Sequence, residues 1–372
     1  VDQQTKIYLT RKFREYYASS KLEMPPEFQR REWAFVPFEV LPNFVMFRHI
    51  SFESEDEFKA YILGNVPAHI YYSSAYYKSP SAEKMELKGW KGADLIFDID
   101  ADHLPVKTRS MQVALKVAKR EIIRLADILI SDFGIRKKDM EIVFSGSRGY
   151  HLHVHDRKFR ALGSAERREI VDYLTLNDVN LLNGVKMADT SQAKRVAKCM
   201  TAFFVNAIRK NNLNEILNKY GIKGKTAERV LSALSNRNNL KLMASGNLTF
   251  LPKSKKVRAM IDSILSICTS KVSVHIDAPV TADVKRLIRF PGSLHGKTGL
   301  RVTPIKLSKI EEFDPFQDAI VFGEEKVKVR AKGKIKENIG GEKIKLSAGE
   351  KALVPEYIAV FLLCRGMAVY GH

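Results

Sequence analysis

Cysteine is scarce in this chain of 372 residues: Cys199, Cys268 and Cys364 stand far apart and none belongs to a C-x-x-C pair. Neither a disulfide framework nor a cysteine-built zinc site is expected, and a reducing compartment fits. Long apolar runs are missing too. The longest, Ile358 to Cys364, is too short to cross a bilayer, and Val1-Asp-Gln-Gln-Thr-Lys lacks the apolar run of a signal peptide. The expectation is a soluble cytoplasmic protein with no membrane partner. Acidic residues are the third deficit: 42 Asp and Glu face 62 Lys and Arg, a formal charge of +20. Such a surplus points to a polyanion, most simply nucleic acid, although basic residues also merely solvate surfaces. Apolar residues make up 45%, which excludes global disorder and allows one large or two medium domains.

Hydrophobic spacing predicts an amphipathic helix over Lys6–Ser19, a break at Pro25-Pro26, strands over Arg31–Phe38 and Phe44–Phe52, and a helix over Ser54–Gly64. A long helix, Ser110–Phe133, carries Met111, Leu115, Ala118, Ile122, Leu125 and Leu129 at helical spacing. Met140–Ser145 and Tyr150–His155 read as strands around a glycine-bearing turn. From about 165 to 270 the pattern becomes a series of basic helices, and Val272–Ile276 looks strand-like again. Glu325–Lys336 alternates strictly, with Lys326, Lys328, Arg330, Lys332, Lys334 and Lys336 on one face. It reads as a lysine-protected edge strand or a linker, with a phosphate-tracking strand as the alternative. Ala352–Val369 is apolar enough to dock on the body or on a partner subunit.

Three segments carry chemistry. In Asp94-Leu-Ile-Phe-Asp98-Ile-Asp100, strand alternation sends Asp98 and Asp100 to one face and Leu95, Phe97 and Ile99 to the other. Two adjacent carboxylates repel unless a cation lies between them, so the pair suits divalent metal, although a solvated strand end has the same sequence. Phe144-Ser145-Gly146-Ser147-Arg148-Gly149-Tyr150-His151 makes a turn whose backbone, hydroxyls and arginine could cradle phosphate. The histidines at 151, 153 and 155 share one face and leave open an H-x-H metal pair. The third segment runs from Asp283 through Lys285, Arg289, Ser293, His295 and Lys297 to Arg301, basic groups packed around a Pro-Gly turn. Asp283 could equally cap a helix through Ile288.

Together, and in this order within residues 94–300, these segments resemble the small catalytic subunit of the archaeal and eukaryotic type of DNA primase, especially its archaeal branch. The shared signature is a Phe-Asp-Ile-Asp strand, a Ser-Gly-x-Arg-Gly-x-His turn and an Arg-x-Pro-x-Ser-Leu-His-x-Lys-x-Gly-Leu segment following a third aspartate. Weaker likeness extends through Arg31-Glu32 and Tyr72-Ser73-Ser74-Ala75. The resemblance implies an α/β (α+β) fold: a primase catalytic core with an RRM-like mixed sheet over 1–160 and 271–372, and a helical insertion subdomain over 161–270. It implies a nucleotidyltransferase that makes short primers de novo on single-stranded DNA at the replication fork, from NTPs or dNTPs, releasing pyrophosphate. Asp98, Asp100 and Asp283 would hold two Mg²⁺ or Mn²⁺ ions. Arg31, Ser145, Arg148, His151, Arg289 and His295 would contact the incoming nucleotide, with Lys285 and Lys297 as helpers. A primase large subunit is the implied protein partner. The chain departs from the family in lacking cysteines after the aspartate pair, where His103-Leu-Pro-Val-Lys-Thr-Arg-Ser leads into the long helix, so no structural zinc is expected there. The residues alone also allow a metal-dependent phosphohydrolase or nuclease using His151 and His153, or a non-enzymatic nucleic-acid-binding scaffold.

Overall fold

The computed structural model describes residues 2–41, 43–104, 108, 110–177 and 181–371. Half of the segment from His103 to Ser110, where the zinc expectation was framed, therefore lies outside the described residues. The chain begins with α1 (Gln3–Ser19), β1 (Trp33–Pro37), β2 (Phe47–Ile50), α2 (Glu55–Asn65), β3 (Pro67–Ser73), β4 (Ala75–Tyr77) and β5 (Trp90–Ala93). Next come β6 (Leu95–Asp100), α3 (Met111–Phe133), β7 (Met140–Phe144), β8 (Gly149–Val154) and α4 (Ser164–Thr175). Short strands β9 (Leu182–Asn183) and β10 (Lys186–Met187) precede α5 (Ser191–Arg209), α6 (Leu213–Lys219), α7 (Gly224–Ser235), α8 (Arg237–Ala244) and α9 (Lys255–Val272). The remainder is α10 (Ala278–Ala282), β11 (Leu287–Arg289), β12 (Thr303–Ile305), α11 (Pro315–Asp318), β13 (Lys326–Ala331), β14 (Ile335–Ile339), β15 (Glu342–Leu346), β16 (Lys351–Pro355), α12 (Glu356–Cys364) and β17 (Ala368–Tyr370).

Two compact units result: Val1–Arg168 with His275–His372, and Glu169–Val274. The first is the expected α/β core and contains two four-stranded sheets, ordered β11-β3-β1-β2 and β12-β7-β8-β6. Every strand pairing among the described residues is antiparallel. In the second sheet β6 and β7 flank β8, with Asp98 opposite His151, Asp100 opposite Gly149 and Glu141 opposite His153. Directly opposed residues share a face. One face is therefore Leu95, Phe97, Ile99, Ile142, Phe144, Tyr150 and Leu152, all buried. α3 packs on it through Leu115, Ala118, Ile122, Leu125 and Leu129, the stripe that the spacing predicts. Each such side chain contributes roughly 1.5–3 kcal/mol through burial, so the opposite, polar face stands on a rigid base. The helical unit buries Val196, Met200, Phe204, Leu217, Val230, Leu234, Met243, Ile261 and Ile264 in a core of its own.

Local pattern and structure part company in four places. The Leu287–Arg289 segment, expected to be helical, is a strand hydrogen-bonded to β3. Val272–Ile276 adds no strand: α9 runs to Val272 and the Val274 N–H donates to Leu174 O. β13 is neither an edge strand nor a linker, because β16 and β17 pair on its two sides; its lysines are exposed only because they alternate with the buried Val329 and Ala331. Helix α12 is buried from Glu356 to Leu363, so the C-terminal apolar segment is spent on the body of its own unit.

Candidate active site

A cavity of about 880 Å³ opens on the polar face of the β6–β8 sheet. Asp98, Asp100 and Asp102 line it from the end of β6, Ser145, Ser147, Arg148 and His151 from the β7–β8 hairpin, and Arg286, Arg289, His295, Lys297 and Thr298 from the segment around β11. Of the sequence-predicted residues, Asp98, Asp100, Ser145, Arg148, His151, Arg289 and His295 are brought together, and so is Lys297.

The hairpin owes its shape to glycine. Gly146 adopts φ +81°, and a Cβ there would lie 2.7 Å from the Cβ of His295, so the turn can press against the His295 loop only without a side chain. Thr298 Oγ1 fastens the two loops by donating to Gly146 O at 2.5 Å. A Cβ on Gly149 would come within 2.2 Å of Ile99 O, on the strand that carries the aspartates. Ser145 Oγ accepts from the Gly149 N–H at 3.2 Å, closing the turn.

Charge is divided across the cavity. Asp98 has its carboxyl pushed up to about 7, first by burial and then by the carboxylates of Asp100 and Asp277, against the weaker pull of Arg286 and His103. His151 Nε2 lies 3.7 Å from Asp98 Oδ1. Burial, then Arg289 and Arg286, push this imidazole down to about 3, so it is neutral. His295 and His69 pack edge to face at 4.9 Å and are likewise held well below the ordinary range by burial and by Arg289. Arg289 Nη1 approaches His69 Nδ1 at 2.8 Å and stacks over Tyr71, its guanidinium 4.9 Å from the ring centre. Arg148 is more exposed and pairs with Asp102 at 2.5 Å. One carboxylate end and one cationic wall thus face a common space.

Two expected residues are elsewhere. Asp283 is exposed, does not line the cavity, and accepts from the N–H of Lys285, two residues on, at 2.9 Å. Because 287–289 is strand rather than helix, Asp283 stands at the C-terminal end of the short α10 and its charge acts on Tyr77 and Arg167 instead. Asp277, at the N-terminal end of α10, also lies outside the cavity lining but stands beside Asp98: its N–H donates to Asp98 O at 2.9 Å, its charge acts on the Asp98 carboxyl, and its own carboxylate lies 3.7 Å from His103 Nδ1. The sequence carried one signal for it, an acid directly after the strand-like, alternating stretch Val272–Ile276, as Asp98 follows the apolar Leu95–Phe97 of β6. Arg286 was missed too.

Arg31 is the second correction. It is fully buried and does not reach the cavity. Its guanidinium pairs with Asp94 Oδ2 at 2.6 Å and donates to Pro26 O and Ser73 O, while Tyr76 donates to the other Asp94 oxygen at 2.8 Å. Burial alone would raise the Asp94 carboxyl; Arg31 and His155 outweigh it and hold the group ionised. Arg31 is a structural cation locking β1 to the start of β6.

A family model described as DNA primase small subunit matches residues 97–307, which include the β6 aspartates, the β7–β8 hairpin and the β11 segment that line this cavity. The chain is 52% identical to the DNA primase small subunit PriS of Archaeoglobus fulgidus, over 98% of this chain and 99% of that protein. It is 39% identical to the DNA primase small subunit PriS of Methanococcoides burtonii over the full length of both, and 38% identical to that of Methanosarcina barkeri over all of this chain and 98% of the other. These matches give the hydrolase and scaffold readings no support. No described helix is long and apolar enough to cross a membrane.

Proposed function

The chain belongs to the DNA primase small-subunit family, and we propose that its catalytic carboxylates are Asp98, Asp100 and Asp277. It is a DNA-directed primase, a nucleotidyltransferase of DNA replication that synthesises primers. The observation that carries the site assignment is that Asp98 and Asp100 line the acidic end of a cavity whose other wall is basic, while Asp277, outside that lining, is hydrogen-bonded to the Asp98 backbone and its charge acts on the Asp98 carboxyl. An all-oxygen donor set in which one carboxyl is forced up to about 7 by burial and then by its acidic neighbours lacks positive charge, and a hard divalent cation, Mg²⁺ or Mn²⁺, answers that deficit. Two such ions, when bound, would activate a primer 3′-hydroxyl and offset charge on the departing pyrophosphate.

The chain's own groups do the rest. Arg289 and Arg148 offer guanidinium forks to the phosphates of the incoming NTP or dNTP, with Arg286 and Lys297 adding charge. Ser145 and the hairpin backbone bring the nucleotide close to β6. His151, neutral and recessed beside Asp98, serves as an uncharged hydrogen-bond donor, so it grips phosphate without competing with cations for the carboxylates. The surplus of basic residues favours a single-stranded DNA template. The relatives are named as small subunits, which implies a large-subunit partner. With α12 buried, the helical unit becomes the docking candidate in place of the C-terminal segment.

The test is primer synthesis on a poly-pyrimidine single strand with labelled NTP or dNTP and Mg²⁺ or Mn²⁺. Asp98→Asn, Asp100→Asn and Asp277→Asn should abolish the product ladder, while Asp283→Asn keeps it. An inactive Asp283→Asn alongside an active Asp277→Asn would overturn the assignment.

A further inference from the structure

At the far end of the same sheet face, two rungs from the catalytic carboxylates, Glu141, His153 and His155 form a second cluster. Each offers one ligand atom, and these atoms all lie within 4.8 Å of one another. We propose that this cluster is a separate transition-metal site, binding one Zn²⁺ through the two imidazoles and the carboxylate, with a coordination position left for water.

Register builds the site. Glu141 on β7 is directly opposite His153 on β8, and His155 follows two residues on, so all three project from one face. The imidazoles of His151, His153 and His155 climb that face at ring spacings of 6.0 Å. His151 belongs to the nucleotide cavity; neither His153, His155 nor Glu141 lines it.

His153 is the telling member. It has no solvent exposure, and its Nε2 is buried without any hydrogen-bond partner. An orphaned polar atom of this kind costs about 1–3 kcal/mol unless something satisfies it. A fully buried imidazole is neutral and keeps a lone pair. Its other nitrogen is engaged: Nδ1 lies 3.3 Å from the Tyr72 hydroxyl, so Nδ1–H donating to that oxygen leaves the Nε2 lone pair free for an ion. His155 is oriented the same way, although its Nδ1 makes no hydrogen bond. Its Nδ1 faces the ionised Asp94 carboxylate at 3.6 Å, and its Nε2 lies 4.0 Å from Glu141 Oε2. Carboxylate or hydroxyl on one nitrogen and metal on the other is the outer-sphere arrangement that orients ligating histidines.

The size of the ion is consistent. Zinc bonds of about 2.0–2.2 Å in tetrahedral geometry place neighbouring ligand atoms about 3.3–3.6 Å apart. Closing the cluster to that span needs under about 1.5 Å of movement, which the half-exposed Glu141 side chain can supply by rotation. Two nitrogens and one oxygen favour Zn²⁺ over the hard, all-oxygen preference of Mg²⁺. The ion would fasten β7 to β8 at the end away from the catalytic hairpin.

The experiment uses tag-free full-length protein, stripped with chelator and titrated with Zn²⁺ against a chromophoric competitor. One tight site per chain is expected, retained in Asp98→Asn and Asp277→Asn. Glu141→Gln and His155→Ala should each weaken it beyond the roughly 10–100-fold loss that follows disturbance of an outer-sphere partner. Co²⁺ should give visible absorption bands in the parent that both variants lose, with circular dichroism confirming that they fold. Zinc uptake unchanged in Glu141→Gln and His155→Ala, uptake abolished by Asp98→Asn, or no tight site at all would each overturn the proposal.

Discussion

Neutralising Asp98 should stabilise the metal-free protein while destroying its activity. Asp98 keeps 19% of its side-chain exposure, yet its carboxyl is displaced from the ordinary 3.8 to about 7 by burial and by the charges of Asp100 and Asp277. At 1.36 kcal/mol per pH unit, that displacement amounts to about 4 kcal/mol of unfavourable interaction in the ionised native state. The penalty combines the burial of Asp98 itself, its largest part, with repulsion from Asp100 and Asp277; relaxation of the partly exposed site leaves about half of it, about 2 kcal/mol, for an uncharged side chain to recover. The direction with pH follows from proton counts. Below pH 4 the group is protonated both folded and unfolded and contributes nothing. Between 4 and 7 the unfolded chain releases its proton while the native state retains it, so wild-type stability falls as pH rises. Above 7 both states are ionised and the full penalty persists. In chelator, the melting temperature of Asp98→Asn should therefore pull ahead of wild type from pH 4 to 7 and then stay ahead, by roughly 4 °C at about 2 °C per kcal/mol. Adding Mg²⁺ or Mn²⁺ should raise the wild-type melting temperature above pH 7 and leave Asp98→Asn unmoved. A gap independent of pH, or equal metal stabilisation of both proteins, would refute the crowded-carboxylate reasoning.

Two further substitutions separate structural from catalytic roles. Arg31→Ala should cost about 3–5 kcal/mol, because it takes the principal counter-charge from buried Asp94 and leaves only the more distant His155 and Arg160; denaturant unfolding checks this, and an Arg31→Ala protein of wild-type stability but impaired nucleotide binding would return Arg31 to the nucleotide pocket. Gly149→Ala should lose primer synthesis and about 1–3 kcal/mol of stability, since the added methyl meets Ile99 O and must push β6 and its aspartates aside; full activity in this variant would show that the hairpin does not set the position of β6.

Wherever a decision depends on neighbours in sequence, the chain declares it. Strand alternation alone projects Asp98 and Asp100 together over a core of Leu95, Phe97 and Ile99, and helical spacing alone gives the buried face of α3. The glycines of the Ser145–Tyr150 turn, the basic surplus and the motif order were equally legible, and they sufficed for the family. The acid that stands beside this pair was not. Asp277 and Asp283 bracket a single turn of helix, and which of them meets Asp98 depends on Leu287–Arg289 joining β3 as a strand. That pairing is made with residues more than two hundred positions earlier, and no local period encodes it. Arg31 was misplaced for the same reason: a basic residue near a phosphate motif looks like a ligand until Asp94, 63 residues away, is found to neutralise it. The edge reading of β13 failed because only assembly supplies its second neighbour, β17. Side-chain direction follows from backbone geometry within a few residues and can be read from the chain; convergence of distant groups is fixed by sheet register and burial, which exist only once the chain has folded.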